Sequence, residues 1–262
     1  MLYFFLIRAL LGAILSSVSL ALFSPFVTLR RVSYLGEALS HIAFAGIAIA
    51  FVLGLHTQAV TLVFVMAVAL AIGRLSQKYK LEEANTITIF LSVSMALGII
   101  LISLRKVYTF DLASYLFGNV LMVSTSDLIV LGVLCLLSLG FIIFFFKELF
   151  YLSYNFEMAG FYRVPVSLVN HLFLAMLAAN IVINLKAAGI ILVSAQLILP
   201  ASTAFNLSRK LPSMIAVSAI VAAVAAVGGF AMSWWLDLPT GAAIVVLEFI
   251  LFLISLLLRP KQ

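Results

Sequence analysis

Apolar residues run along this chain in long unbroken blocks, and polar residues collect in the short gaps between them. Blocks long enough to cross a bilayer, about 20 residues each, fall at Leu2–Leu22, Leu35–Leu55, Thr57–Gly73 and Thr86–Leu104. The second half adds Leu128–Phe146, Val166–Leu185, Ala187–Phe205, Ser213–Leu236 and Gly241–Leu258. The pattern predicts an all-α polytopic membrane protein of about eight or nine transmembrane helices, one domain over residues 1–262. The stretch VYTFDLASYLFGNVLMVSTSDL (Val107–Leu128) is half apolar. Making it cross would invert everything after it, so a short helix or re-entrant element on the external face is expected there.

Composition agrees with this pattern. Of 262 residues, 66% are hydrophobic and 9% charged, far from a soluble domain. The formal charge of +6 does not point to nucleic acid, because the basic residues come in ones and twos between apolar runs. If the loops alternate, Arg30, Arg31, Arg74, Lys78, Lys80, Lys147, Arg163, Arg209, Lys210, Arg259 and Lys261 share one side. The other side keeps Arg105, Lys106 and Lys186, with Arg8 inside the first block. By the positive-inside rule the first side, with the C-terminus, is cytoplasmic. The first block lacks a basic leader and a small-residue cleavage site, so it is expected to be an uncleaved span. The single cysteine, Cys135, allows no internal disulfide and reads as a packing residue.

Few residues can carry chemistry. In YLGEALSH, Glu37 and His41 stand four apart, on one helical face, and could offer an oxygen and a nitrogen ligand to zinc, manganese or iron. The same spacing fits a solvated helix end with Glu37 paired to Arg30 or Arg31. In GIILVSAQLILPASTAF, Gly189, Gln196, Pro200 and Thr203 form a small and polar stripe. It suits close helix packing, at a dimer interface or along a translocation path, and Pro200 is expected to bend the helix. Asn180 and Asn184 share a helical face and are expected to make interhelical hydrogen bonds, with a path role second. His171 reads as an interfacial histidine, and Glu248 as a buried acid with an unnamed partner. The loop KELFYLSYNFEMAGFYRVP suits either a docking element or an amphipathic helix on the headgroups. No G-x-x-x-x-G-K-[ST] motif occurs, so ATP hydrolysis is expected of another polypeptide.

Together these blocks resemble the permease subunits of bacterial ABC importers for zinc, manganese or iron. RRVSYLGEALSHIAFAGIAIAFVLG is similar to the family's second-helix signature. YLFGNVLMVSTSDL, GIILVSAQLILPASTAF and PTGAAIVVL are similar to its later blocks, in the same order. The resemblance implies a type II importer-like permease, with the path-lining acid and histidine falling on Glu37 and His41. The family usually has Asp where Glu37 stands. YNFEMAG resembles the family's ATPase-coupling segment, placing Tyr154, Asn155, Glu157, Ala159 and Gly160 in it. The implied partners are a cytoplasmic ABC ATPase, an external metal-binding protein and a second permease copy, in the bacterial cytoplasmic membrane. The metal is cargo, and no permanent cofactor is implied. Import of iron-siderophore, haem or cobalamin on the same scaffold, or ion-coupled secondary transport, are the alternatives.

Overall fold

The computed structural model describes residues 2–105, 118, 123–154 and 165–258. Among them every regular element is an α-helix. α1 (Leu2–Ala21) turns briefly into α2 (Ser24–Leu29), which tolerates Pro25 because it sits in the first turn. The first crossing therefore runs seven residues beyond the expected Leu22, to Leu29. α3 (Ser33–Leu53), α4 (Thr57–Tyr79) and α5 (Glu83–Arg105) follow as a tight zigzag. A Cβ on Gly46 of α3 would lie 2.9 Å from the Thr61 Cα of α4, and one on Gly98 of α5 2.7 Å from the Phe44 ring. Absent side chains thus set the separation of these three helices.

α6 (Thr125–Phe144) opens on a capping box, in which the Ser124 hydroxyl accepts from the Asp127 amide and the Asp127 carboxylate accepts from the Ser124 amide. Then come the short α7 (Phe146–Tyr154), α8 (Val166–Gln196), α9 (Leu199–Leu207), α10 (Leu211–Leu236) and α11 (Thr240–Leu257).

Side-chain contacts show which helix ends share a face. Arg30, Arg31, Gln77, Lys80, Glu83 and Tyr154 line one open recess of about 810 Å³, joining the ends of α2, α4 and α7 to the start of α5. Gln58, Asp127 and Lys186 line a small cavity on the opposite face. There Lys186 Nζ donates to both Asp127 oxygens at 2.8 and 2.9 Å, and Arg8 donates to the Thr125 hydroxyl at 3.3 Å. α5 begins on the basic face and α6 on the opposite one, so the chain between them starts and ends on the same side. Most of the element expected over Val107–Leu128 lies outside the described residues.

Eight helical stretches are long and apolar enough to span a membrane. One of them, Val166–Leu207, has 42 residues, about 63 Å if straight against about 30 Å of hydrocarbon. It crosses twice. At Gly189 the backbone leaves the helix (φ 74°, ψ 168°) and the chain turns back. Asn170 meets Arg30 on the basic face, Lys186 meets Asp127 on the other, and Asn206 near the end of α9 donates to Ser255 at 2.9 Å. The blocks Val166–Leu185 and Ala187–Phe205 are these two passes. The returning pass breaks again at Leu197–Ile198, just before Pro200 in the first turn of α9, as expected of that proline.

Burial varies widely among the spans. The α3 span is 67% buried, whereas those of α5 and α6 are 17% and 22% buried. The latter two expose Leu97, Ile100, Leu136 and Ile143, a surface suited to lipid.

Gly189 occupies a region of backbone space essentially reserved for glycine. Gly189→Ala is therefore expected to destabilise the folded chain by about 1–3 kcal/mol, seen as a lower thermal midpoint of the purified protein. An unchanged midpoint would mean that the turn is not built as described.

Candidate functional site

The chain enters α3 through a sharp turn at Arg31, whose φ is 57°. The turn separates Arg30, which caps α2, from the first turns of α3. Leu, Glu and Ala, good helix formers, then carry the helix past Glu37. On its back, Gly36 admits the returning pass so closely that a Cβ would lie 2.4 Å from Leu197 Cδ1. On its front, Tyr34 and Glu37 are exposed and His41 half-buried. Two turns beyond Glu37 the same face is closed, with Phe44 buried against Gly98 of α5. The otherwise enclosed α3 is thus open over its first turns, where the carboxylate and imidazole lie.

Neither side chain is committed to a protein partner among the described residues. The ion pairs there are Arg30–Glu83 and Lys186–Asp127, and neither includes Glu37. Arg30 is occupied elsewhere. Its guanidinium donates to the Asn170 carbonyl oxygen, stacks 4.9 Å from the centroid of the Phe173 ring and lies 4.0 Å from Glu83. Burial pushes the Arg30 guanidinium down from its usual value and Glu83 pulls it back up. An arginine stays charged through such a shift. The alternative pairing of Glu37 with Arg30 is absent, because Arg30 belongs to α2 and reaches α8 and the start of α5.

The other polar candidates face inward. Asn180 Nδ2 donates to Ser138 Oγ of α6 at 2.9 Å, and Asn184 Nδ2 to Ser19 Oγ of α1 at 3.2 Å. Gln196 Nε2 donates to Ser17 Oγ of α1 at 2.9 Å. These are interhelical hydrogen bonds of the kind expected for the two asparagines. Gly189, Gln196, Pro200 and Thr203 are all buried, so the close packing of this stripe is made within the protomer and not on its surface. His171 contacts the Ser167 carbonyl one turn earlier in its own helix. Of the coupling residues, Tyr154 ends α7, exposed and 4.7 Å from Phe150 ring to ring. Asn155, Glu157, Ala159 and Gly160 lie outside the described residues. Sequence reasoning missed the Arg30 cluster and the Lys186–Asp127 pair. The serines at 16, 17 and 19, polar on an apolar helix, were the visible signal for the α1 contacts.

A helical bundle spanning the membrane, with one enclosed helix that presents an uncommitted carboxylate and imidazole, has the form of a transport permease. The chain belongs to the ABC 3 transport family, whose sequence profile matches residues 2–259. It is 36% identical over 260 residues to the "Manganese transport system membrane protein MntC" of Listeria monocytogenes, covering 99% of this chain and 92% of that one. It is 27% identical to the "High-affinity zinc uptake system membrane protein ZnuB" of Haemophilus influenzae, covering 98% of each. Its fold matches a chain of "PsaBC from Streptococcus pneumoniae in complex with Fab" with a TM-score of 0.85 at 34% identity, covering 98% of this chain and 93% of that one.

The separate roles of Arg30 and Glu37 can be tested by stability. Arg30→Leu leaves buried Asn170 without its partner and should lose about 1–3 kcal/mol. Glu37→Gln should leave the thermal midpoint of the purified protein unchanged. Equal losses would indicate that the two side chains pair.

Proposed function

We infer that this chain is the membrane-spanning permease of an ATP-driven importer of divalent metal ions, and that Glu37 and His41 are its ligands for the passing ion. The observation that carries this is their placement: two metal-ligand side chains one turn apart, unpaired, at the open end of the most enclosed helix. Carboxylate and imidazole together suit manganese, zinc and iron. Manganese is the first candidate, because the relative named above at 36% identity is a manganese transport protein and the zinc relative stands at 27%.

One protomer supplies only two such ligands, and no group of three or more His, Cys, Asp or Glu able to hold a metal occurs among the described residues. A first-row ion takes four or more ligands. A second permease copy, related by two-fold symmetry, would bring two carboxylates and two imidazoles to one ion, and the carboxylates would balance its charge. Because the front of α3 is uncovered in the single protomer, that is where the copies meet. Asn180, Asn184, Gly189, Gln196, Pro200 and Thr203 then serve as the scaffold behind α3, holding the returning pass against Gly36.

The basic face is cytoplasmic by the positive-inside rule, which also places the end of α11 there. The segment that begins at Tyr154, beside the recess on this face, and runs to Gly160 docks the ATPase, a separate polypeptide. An external metal-binding protein delivers the ion to the opposite face. ATP-driven alternation exposes the ligand pair first to one side and then to the other, in a water-filled path where the carboxylate avoids the cost of bare lipid.

Uptake of labelled manganese and zinc, measured per inserted permease in cells holding the complete transporter, tests the ligand pair. Glu37→Gln and His41→Ala should each cut uptake at least about tenfold, the loss expected when about 1.4 kcal/mol of ion binding is removed. Glu37→Asp, which restores the acid usual in the family, should keep most of it. Near-normal uptake by both of the first two variants would remove the site.

The docking segment is tested separately. A cysteine at Asn155 should resist an impermeant thiol reagent applied outside intact cells. Replacing Glu157 or Gly160 should uncouple ATP hydrolysis from uptake without loss of insertion. Efficient labelling from outside would reverse the assigned orientation.

A further inference from the structure

Glu248, in the middle of α11, has no solvent exposure. Neither of its carboxyl oxygens receives a hydrogen bond of ordinary geometry. The helices packed on α11 are α8, α9 and α10, and none brings a cation to it. α9 and α10 contain no charged or histidine residue, and the Arg209–Lys210 pair between them is exposed on the basic face. On α8, Lys186 is bound to Asp127 and His171 lies near the basic end against Ser167. α1 carries Arg8, which is bound to Thr125 on the opposite face. An ionised carboxylate buried without a countercharge is far more costly than a neutral carboxyl.

The hydrogen-bonding side chain beside the Glu248 carboxyl is Gln196 of the returning pass. Its Nε2 donates to Ser17 Oγ at 2.9 Å, while its Oε1 is buried and has no donor. A carboxylate can only accept, but a protonated carboxyl also donates. A single proton would therefore remove the unpaired charge and satisfy the orphaned amide oxygen. We propose that Glu248 is a resident proton-binding site, a neutral carboxylic acid that donates to Gln196 Oε1 and completes a chain from α11 through the returning pass to Ser17 of α1. Gln196 is the last helical residue before the Leu197–Ile198 break, so the proton fixes the interrupted pass at the point where its own helical bonding ends. The role is positional and independent of the ion at Glu37 and His41.

The test uses the full chain in the assembled transporter, reconstituted in lipid. Infrared spectra at neutral pH should show a protonated-carboxyl stretch that is absent from Glu248→Gln. That variant keeps a neutral head group able to donate, so its thermal midpoint should stay close to that of the unaltered protein and its uptake within about twofold, less than the loss of one ordinary hydrogen bond. Glu248→Leu should lower the midpoint clearly. Gln196→Leu should lower it in the unaltered protein but much less in the Glu248→Leu background, as expected of coupled neighbours. An ionised-carboxylate band lost on Glu248→Gln, equal damage from Gln and Leu at this position, or additive losses in the double variant would each overturn the proposal. Should the Leu variants fail to assemble, the comparison of the unaltered protein with Glu248→Gln still decides: the protonated-carboxyl band must be present at neutral pH in the first and missing from the second.

Discussion

The broken pass from Ile190 to Leu207 governs the arrangement of the other helices. Backbone groups released from a helix inside a bilayer find no water, so an interrupted segment is tolerated only where protein encloses it. This pass starts from the non-helical turn at Gly189 and is interrupted again at Leu197–Ile198. It cannot face lipid. α1 holds it through Ser17, α3 through the gap left by Gly36, and α11 through Ser255. The helices with the least burial, α5 and α6, are continuous. Continuity outside and interruption inside follow from the same constraint.

Enclosing that pass also sets the position of Glu37 and His41. Because the back of α3 must seat Leu197 at Gly36, the rotation of the helix about its axis is fixed. Glu37, the next residue, must then point outward, and His41 follows it one turn later. α5 covers the same face at Phe44. The opening is therefore a consequence of how the three helices fit, and the glycines at 46 and 98 fit them closely. A bulky residue at either point would move the opening along with the helices.

Much of this was legible in the chain. Long apolar blocks can only be helices in lipid, so the crossings stood out, and Lys186 separated the two passes that the helix geometry joins. The spacing of Glu37 and His41 put them on one face before any packing was known. Partnership was not legible. Arg30 stands seven residues before Glu37 and appeared a natural mate, but the turn at Arg31 sends it instead to Asn170, 140 residues away. Local spacing carries no trace of such a contact. For the stripe from Gly189 to Thr203, sequence identified surfaces built for close approach. Whether the neighbour is a second copy or the same chain depends on the reversal at Gly189, and many glycines in spans cause no reversal.

Three charged side chains near or within the spans show how little residue type decides. Arg30 is buried and keeps its charge because a carboxylate, an amide oxygen and an aromatic face surround it. Glu37 has none of these, but it is exposed and left without a protein partner among the described residues. Glu248 is fully buried and the helices packed on it bring no countercharge, so a charge in that position is costly. Each outcome follows from what stands within a few ångströms of the head group. An unpaired acid is therefore informative only together with its exposure: open, it can receive a cation, and closed, the smallest cation available to it is a proton.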